Sequence, residues 1–332
     1  MKFVIYLIIN DNNETNKIKL KHKRGENTLK KQIIVSQDGT GEFSKVQEAI
    51  DSICVDEEVE IFVKEGCYYE KLIFNKDNVT LVGENPFKTI LEYDDYALKK
   101  DEEGKEYTTY RTYSVCIECK NFKAKNITFR NFAGPGEIVG QAVAVQVLGD
   151  RCIFENCRFL AFQDTFYTKG IGSRIYVKKC YIEGDIDFIF GASIAVFEEC
   201  IISSIHKEGY VSAPSTPKNQ KYGYLFDRCN FVSELDSETV YLGRPWHPGG
   251  DPDAIGSAIF KKCNLGKHIK KEGFTEMKGF RAEDARFYEF ENIGVGAVKH
   301  NMRRQLEEVE SEEYTALKML KGDDNWEFWT NF

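Results

Sequence analysis

One short pattern recurs five times and limits what this chain can fold into. An aromatic residue or Val, two charged or polar residues and a Cys follow one another as Phe154-Glu-Asn-Cys157, Val177-Lys-Lys-Cys180, Phe197-Glu-Glu-Cys200, Phe226-Asp-Arg-Cys229 and Phe260-Lys-Lys-Cys263. Successive Cys are 23, 20, 29 and 34 residues apart. A period of that size marks a stack of supersecondary units, each burying its face on its neighbours. The period also supplies a phase. Asp164 lies seven residues past Cys157 and Asp187 seven past Cys180, so the repeat predicts one carboxyl above the other.

From Val59 to about Leu265 the text is short β-rich runs broken by Gly, Asn, Asp and charged pairs. Glu60-Ile-Phe-Val63, Val79-Thr-Leu-Val82, Ile127-Thr-Phe129, Ala142-Val-Ala-Val-Gln-Val147 and Arg174-Ile-Tyr-Val177 are examples. Several short strands per repeat with almost no helical periodicity predict an all-β chain, a single-stranded parallel β-helix. Ser44-Lys-Val-Gln47 reads as a capping box ahead of Val46, Ala49, Ile50 and Ile53, which predicts a short helix capping the open N-terminal end. Longer loops are expected at residues 94–112, 205–221 and 245–256, and loops on one side of a solenoid build its groove. After Phe290 an acidic tail with Leu306, Val309, Leu317 and Leu320 at helical spacing should pack outside the stack. Residues 1–31 read as a loosely ordered extension and 32–332 as one domain.

Composition removes several classes. A net charge of −8 excludes the basic stripe of a nucleic-acid binder. No apolar run reaches the ~20 residues of a membrane span, so no membrane partner is expected. Met1–Asn10 holds a Lys and a short apolar run but leads into Asp11-Asn-Asn-Glu14 without a small-residue cleavage site. The ten Cys do not suggest a disulfide scaffold, because five share one repeat phase and suit buried packing. Unpaired thiols favour the cytoplasm, with secretion as the alternative. Cys116-x-x-Cys119 lacks a second pair, so neither a zinc site nor any other metal or cofactor is expected.

Four polar positions interrupt apolar strand text. Gln141 opens Gln-Ala-Val-Ala-Val, Gln163-Asp164 lies between Phe162 and Phe166-Tyr167, Asp187 opens Asp-Phe-Ile-Phe-Gly191, and Arg244 lies in Tyr241-Leu-Gly-Arg-Pro-Trp246. Gln141 to Gln163 is 22 residues and Asp164 to Asp187 is 23, about one coil each. Any one of these alone reads as a solvated side chain. As a set, two carboxylates in one phase with an Arg to pair one of them split into an ionised group and a neutral acid. Amide side chains one coil away could donate to an oxyanion. The five His, at 22, 206, 247, 268 and 300, fall outside this phase, and no Gly-x-Ser-x-Gly elbow, P-loop or dinucleotide fingerprint is present. Three readings stay open on these residues: a carboxylate nucleophile at an acyl centre, a two-carboxylate glycosidase, and a non-catalytic carbohydrate-binding solenoid.

At these positions the chain resembles the pectin methylesterases (pectinesterases), carbohydrate esterase family 8. The matching segments are Gly140-Gln-Ala-Val-Ala144, Gln163-Asp-Thr165, Asp187-Phe-Ile-Phe-Gly191 and Leu242-Gly-Arg-Pro-Trp246. Weaker matches are Gly39-Thr-Gly-Glu-Phe43, Val46-Gln-Glu-Ala-Ile50, Gly66-x-Tyr-Tyr-Glu70 and Ala213-Pro-Ser-Thr-Pro217. The resemblance implies a right-handed β-helix and metal-free hydrolysis of the C6 methyl esters of homogalacturonan or its oligomers by a monomer. It implies Asp187 as nucleophile, Asp164 as general acid and then base, Gln163 and Gln141 as oxyanion donors and Arg244 as the partner of Asp187. Trp246, Tyr167 and Phe190 resemble groove residues on which sugars pack; ordinary coil packing is the competing reading for Tyr167 and Phe190. Departures are Phe166 where Leu is usual, Val145 after Gln-Ala-Val-Ala, and the bulky Thr112-Tyr113-Ser114 before a strand the family fills with small residues. A β-helix polygalacturonase or lyase is the nearest alternative.

Overall fold

In a computed structural model, described for residues 31–330 apart from Asp56, short parallel strands wind into one right-handed β-helix. Each coil adds a strand to as many as three stacked sheets of ten, eight and seven strands, and every strand pair within them is parallel. The expected extension over residues 1–31 lies outside the described residues except for Lys31, which opens the first strand, Lys31–Val35.

The five-fold pattern is the corner between the first and second sheets. Phe154, Val177, Phe197, Phe226 and Phe260 align in register on the first sheet and point inward. Rings of Phe197, Phe226 and Phe260 stack at 4.8 and 4.7 Å between centroids. Each Phe so buried contributes about 2–3 kcal/mol. The residue before each Cys turns the corner in the left-handed region: Asn156, Lys179, Glu199, Arg228 and Lys262 have φ of 52–55°. Side chains rarely favour that conformation, and here a stacked turn repeats it coil after coil. Each Cys then points back into the stack, where the Cys229 thiol donates to the Phe197 carbonyl at 3.2 Å and Cys263 to Phe226 at 3.3 Å. All five are buried and free.

The helix Val46–Asp51 closes the N-terminal end with Val46, Ala49 and Ile50 buried. Its N-cap is Lys45, and the Ser44 capping box does not form. The Glu70 carboxylate, from the next coil, accepts from the Val46 and Gln47 amides at 2.8 and 3.1 Å instead. A tertiary contact thus does the work expected of a local one.

Two other expectations need correction. Residues 205–221 are not one loop, because Tyr210–Pro214 is a strand of the third sheet. Strand text from Ala142 begins only at Val145, although the Ala142 and Ala144 amides already donate to the Gln163 and Thr165 carbonyls of the next coil. The C-terminal tail forms two one-turn helices, Glu308–Ser311 and Ala316–Leu320. They cover the outer face of the first sheet, where Leu306, Met319, Leu320 and Phe328 pack on Ile153, Tyr176, Val196, Leu225 and Ile259. Val309 and Leu317 face solvent, since one-turn helices at different angles break a single helical stripe.

Candidate active site

The N-terminal ends of third-sheet strands build the site. Asp164 precedes the strand Phe166–Thr168 and Asp187 lies in Ile186–Gly191 on the next coil, with Phe166 opposite Ile189. Both acids have left-handed backbone, φ 70° at Asp164 and 50° at Asp187. The register of Ile186–Gly191 against Tyr210–Pro214 slips between Ile186 and Ile189, so Asp187 sits at a bulge. Bulges re-aim a side chain, and left-handed non-Gly residues gather at functional sites.

Arg244 follows the strand Tyr241–Gly243 and reaches back to Asp187 through a two-pronged contact, Nε to Oδ1 at 2.8 Å and Nη2 to Oδ2 at 2.7 Å. The guanidinium lies 3.7 Å from the Tyr210 ring centre, a stacking that holds it in plane. Asp164 is only 7% exposed and, among the described residues, its carboxyl accepts no hydrogen bond. Burial first, then the charge of Asp187, holds Asp164 well above the ordinary carboxylate range, with Arg244 opposing more weakly. Burial also raises Asp187, but the Arg244 hydrogen bonds and charge pull directly against it. When one proton is shared between the two, it resides on Asp164.

Gln163 is half-buried against Gly136, where a Cβ would come within 2.6 Å of Gln163 Oε1. A side chain at 136 would displace the amide. Gln141 lies on the preceding coil, and its carbonyl accepts from Ala97 at 2.9 Å. The structure gives its side chain no contact with the acids, so the Asp164–Asp187–Arg244 cluster is tightly drawn and the Gln141 amide is not tied into it.

Tyr167 and Phe190 pair across adjacent strands with rings stacked at 4.4 Å, and Trp246 meets them edge-on at 6.3 and 5.6 Å. Tyr167 and Phe190 are 3% exposed, so both double as packing. Two hollows flank the acids. One of about 440 Å³ is lined by Gly136, Gln163, Asp185, Tyr210 and Arg244 among others. The other, about 360 Å³, holds Tyr110, Tyr167, Lys169 and Trp246. Tyr110, Lys169, Asp185 and Tyr210 are not among the sequence-derived candidates. Tyr110 and Tyr210 fell in segments read as loops, and Lys169 lies just past a strand end, with no motif to mark it. Among the described residues no group of three or more His, Cys, Asp or Glu is placed to hold a metal ion.

A pectinesterase family profile matches residues 32–323. Pectinesterase 31 of Arabidopsis thaliana is 36% identical over 273 residues, covering 79% of this chain and 83% of that protein. Pectinesterase A of Dickeya chrysanthemi is 33% identical over 305 residues, covering 79% and 82%. A crystal structure of pectin methylesterase in complex with a hexasaccharide superimposes with a TM-score of 0.82 at 32% identity, covering 88% of this chain and 97% of that one. Pectin methylesterase from carrot gives 0.77 at 25% identity, covering 90% and 95%. Strand order, coil phase and four ordered motifs agree with these matches, and the chain belongs to the pectinesterase family.

Proposed function

We propose that this chain hydrolyses the C6 methyl esters of galacturonosyl units in pectin or its oligomers, through an acyl-enzyme on Asp187. The observation that carries the mechanism is the pairing of an Arg-bound carboxylate with a buried carboxyl that has no partner. Asp187, kept ionised and aimed by Arg244, attacks the ester carbonyl carbon. The oxyanion forms at the mouth of the cleft, where the Gln163 and Gln141 amides donate to it. Asp164 gives its proton to the departing methanol, leaving a mixed anhydride between Asp187 and the sugar. Asp164, now ionised, takes a proton from water, whose oxygen attacks the sugar carbonyl. Asp187 leaves as a carboxylate into the Arg244 contact, and Asp164 is again protonated.

Trp246, with Tyr167 and Phe190 behind it, offers an apolar wall for sugar rings. The reading has the enzyme work as a monomer without a metal. It also places the enzyme outside the cell, where wall polymer is found. Eight of the ten thiols are buried, so their being unpaired carries little weight for a reducing compartment, and the cytoplasmic expectation gains no support from the pectinesterases matched. Methanol release from methylated pectin tests the reading. Turnover that EDTA leaves unchanged is expected; no methanol, or loss of turnover on chelation, would contradict it.

A further inference from the structure

The hollow beside Trp246 holds a positive charge that the ester chemistry leaves unused. Lys169 follows the strand Phe166–Thr168, and its Nζ lies 5.3 Å from the ring centre of Tyr110. Tyr110 belongs to the 94–112 loop and leans on Tyr167 at 5.7 Å, so the lysine and the aromatic wall share one side of the cleft. Four charged residues line this hollow: Lys169, Lys218, Asp251 and Asp253. Lys218 and Asp253 neutralise each other at 2.7 Å. Asp251 accepts the Asp253 amide at 2.9 Å within its own loop. Lys169 forms no ion pair among the described residues.

The hollow on the far side of the acids is different. Glu137, Asp185 and Glu208 face it against Lys207 and His206, while Arg244 is held by Asp187. An ionised sugar carboxylate is repelled there and attracted beside Lys169. In a chain of net charge −8, a lone unpaired cation in the groove is a local exception.

We propose that Lys169, braced on Tyr110, makes the Trp246 hollow a subsite for a galacturonate whose carboxyl is already free, so that esters beside a de-esterified sugar react preferentially. The proposal rests on the pectinesterase reading and adds a substrate pattern to it. The test compares a fully methylated hexagalacturonide with one of equal length from which a block of esters has been removed, as kcat/KM per ester. For the native chain the block-de-esterified oligomer should be favoured by roughly fivefold at low salt, the size of an exposed charge pair, and less as salt rises. Lys169→Gln should bring that ratio to about one, and Lys169→Arg should keep it. Equal rates on both oligomers, or a ratio that survives Lys169→Gln, would overturn the subsite alone. Absence of methanol from both would overturn the esterase reading and the subsite with it.

Discussion

Near the C-terminal end of the stack Arg303 meets Glu289 through two hydrogen bonds of 2.6 Å; in the cleft Arg244 meets Asp187 through two of 2.8 and 2.7 Å. The contacts are alike and their surroundings are not. Arg303 and Glu289 side chains are 0% and 2% exposed, and spare valences are filled, with Asn292 donating to Glu289 at 2.8 Å and Arg303 donating to the Gly296 carbonyl at 2.7 Å. Arg244 and Asp187 are 18% and 9% exposed, open to a flanking hollow, and coupled to a second carboxyl without a hydrogen bond. A saturated pair fixes structure. An unsaturated one beside an unpartnered acid keeps electrostatic free energy that a reaction can use.

Charge removal should separate the two. The largest effect is expected at Asp187: Asp187→Asn should cut kcat by about 10⁴-fold or more while the protein unfolds as a single transition near the native Tm. Asp164→Asn follows, with a loss of roughly 10²–10⁴-fold for a missing general acid. That same change should stabilise the fold at neutral pH. The folded Asp164 carboxyl is raised, so its contribution to stability is complete below its unfolded value and is lost as pH rises through the folded one. Asn removes the loss, and a Tm gain over the native protein that is larger at pH 8 than at pH 4 is the sign to look for.

Arg244→Ala should cost about 10²-fold in kcat through misplacement of the nucleophile. It should also move the acid limb of the pH profile upward, because only Arg244 and the distant Lys278 oppose the burial that raises Asp187. An acid limb that stays put would break the contrast drawn here. The smallest effect on rate belongs to Glu289→Gln. It should leave kcat of the folded enzyme unchanged and lower stability by roughly 3–5 kcal/mol, the cost of stranding a buried Arg. A drop in kcat without a drop in Tm would mean that the saturated pair is not purely structural.

How much of this was legible in the chain differs by residue. The corner pattern from Phe154 to Cys263 gave the solenoid because packing repeats at fixed phase, and the same phase aligned Asp164 with Asp187. What stayed hidden depends on contacts between coils. Glu70 caps a helix two dozen residues away, Tyr210 supports Arg244 from a segment whose loop-like text conceals a strand, and Tyr110 reaches Tyr167 across a long insertion. The left-handed backbone at both acids has no sequence mark, since Asp carries neither the freedom of Gly nor a turn motif at these positions. The tail was legible as apolar but not as two short helices, because Val309 and Leu317 keep the spacing without the burial.

The account stands or falls on a covalent intermediate carried by a carboxylate in that cleft. Partitioning with hydroxylamine tests it most directly, using methyl and ethyl esters of the same oligogalacturonide. A common acyl-enzyme requires one ratio of hydroxamate to free carboxylate whichever alcohol departs. A ratio that changes with the leaving alcohol would mean that water attacks the ester directly and that Asp187 is not the nucleophile.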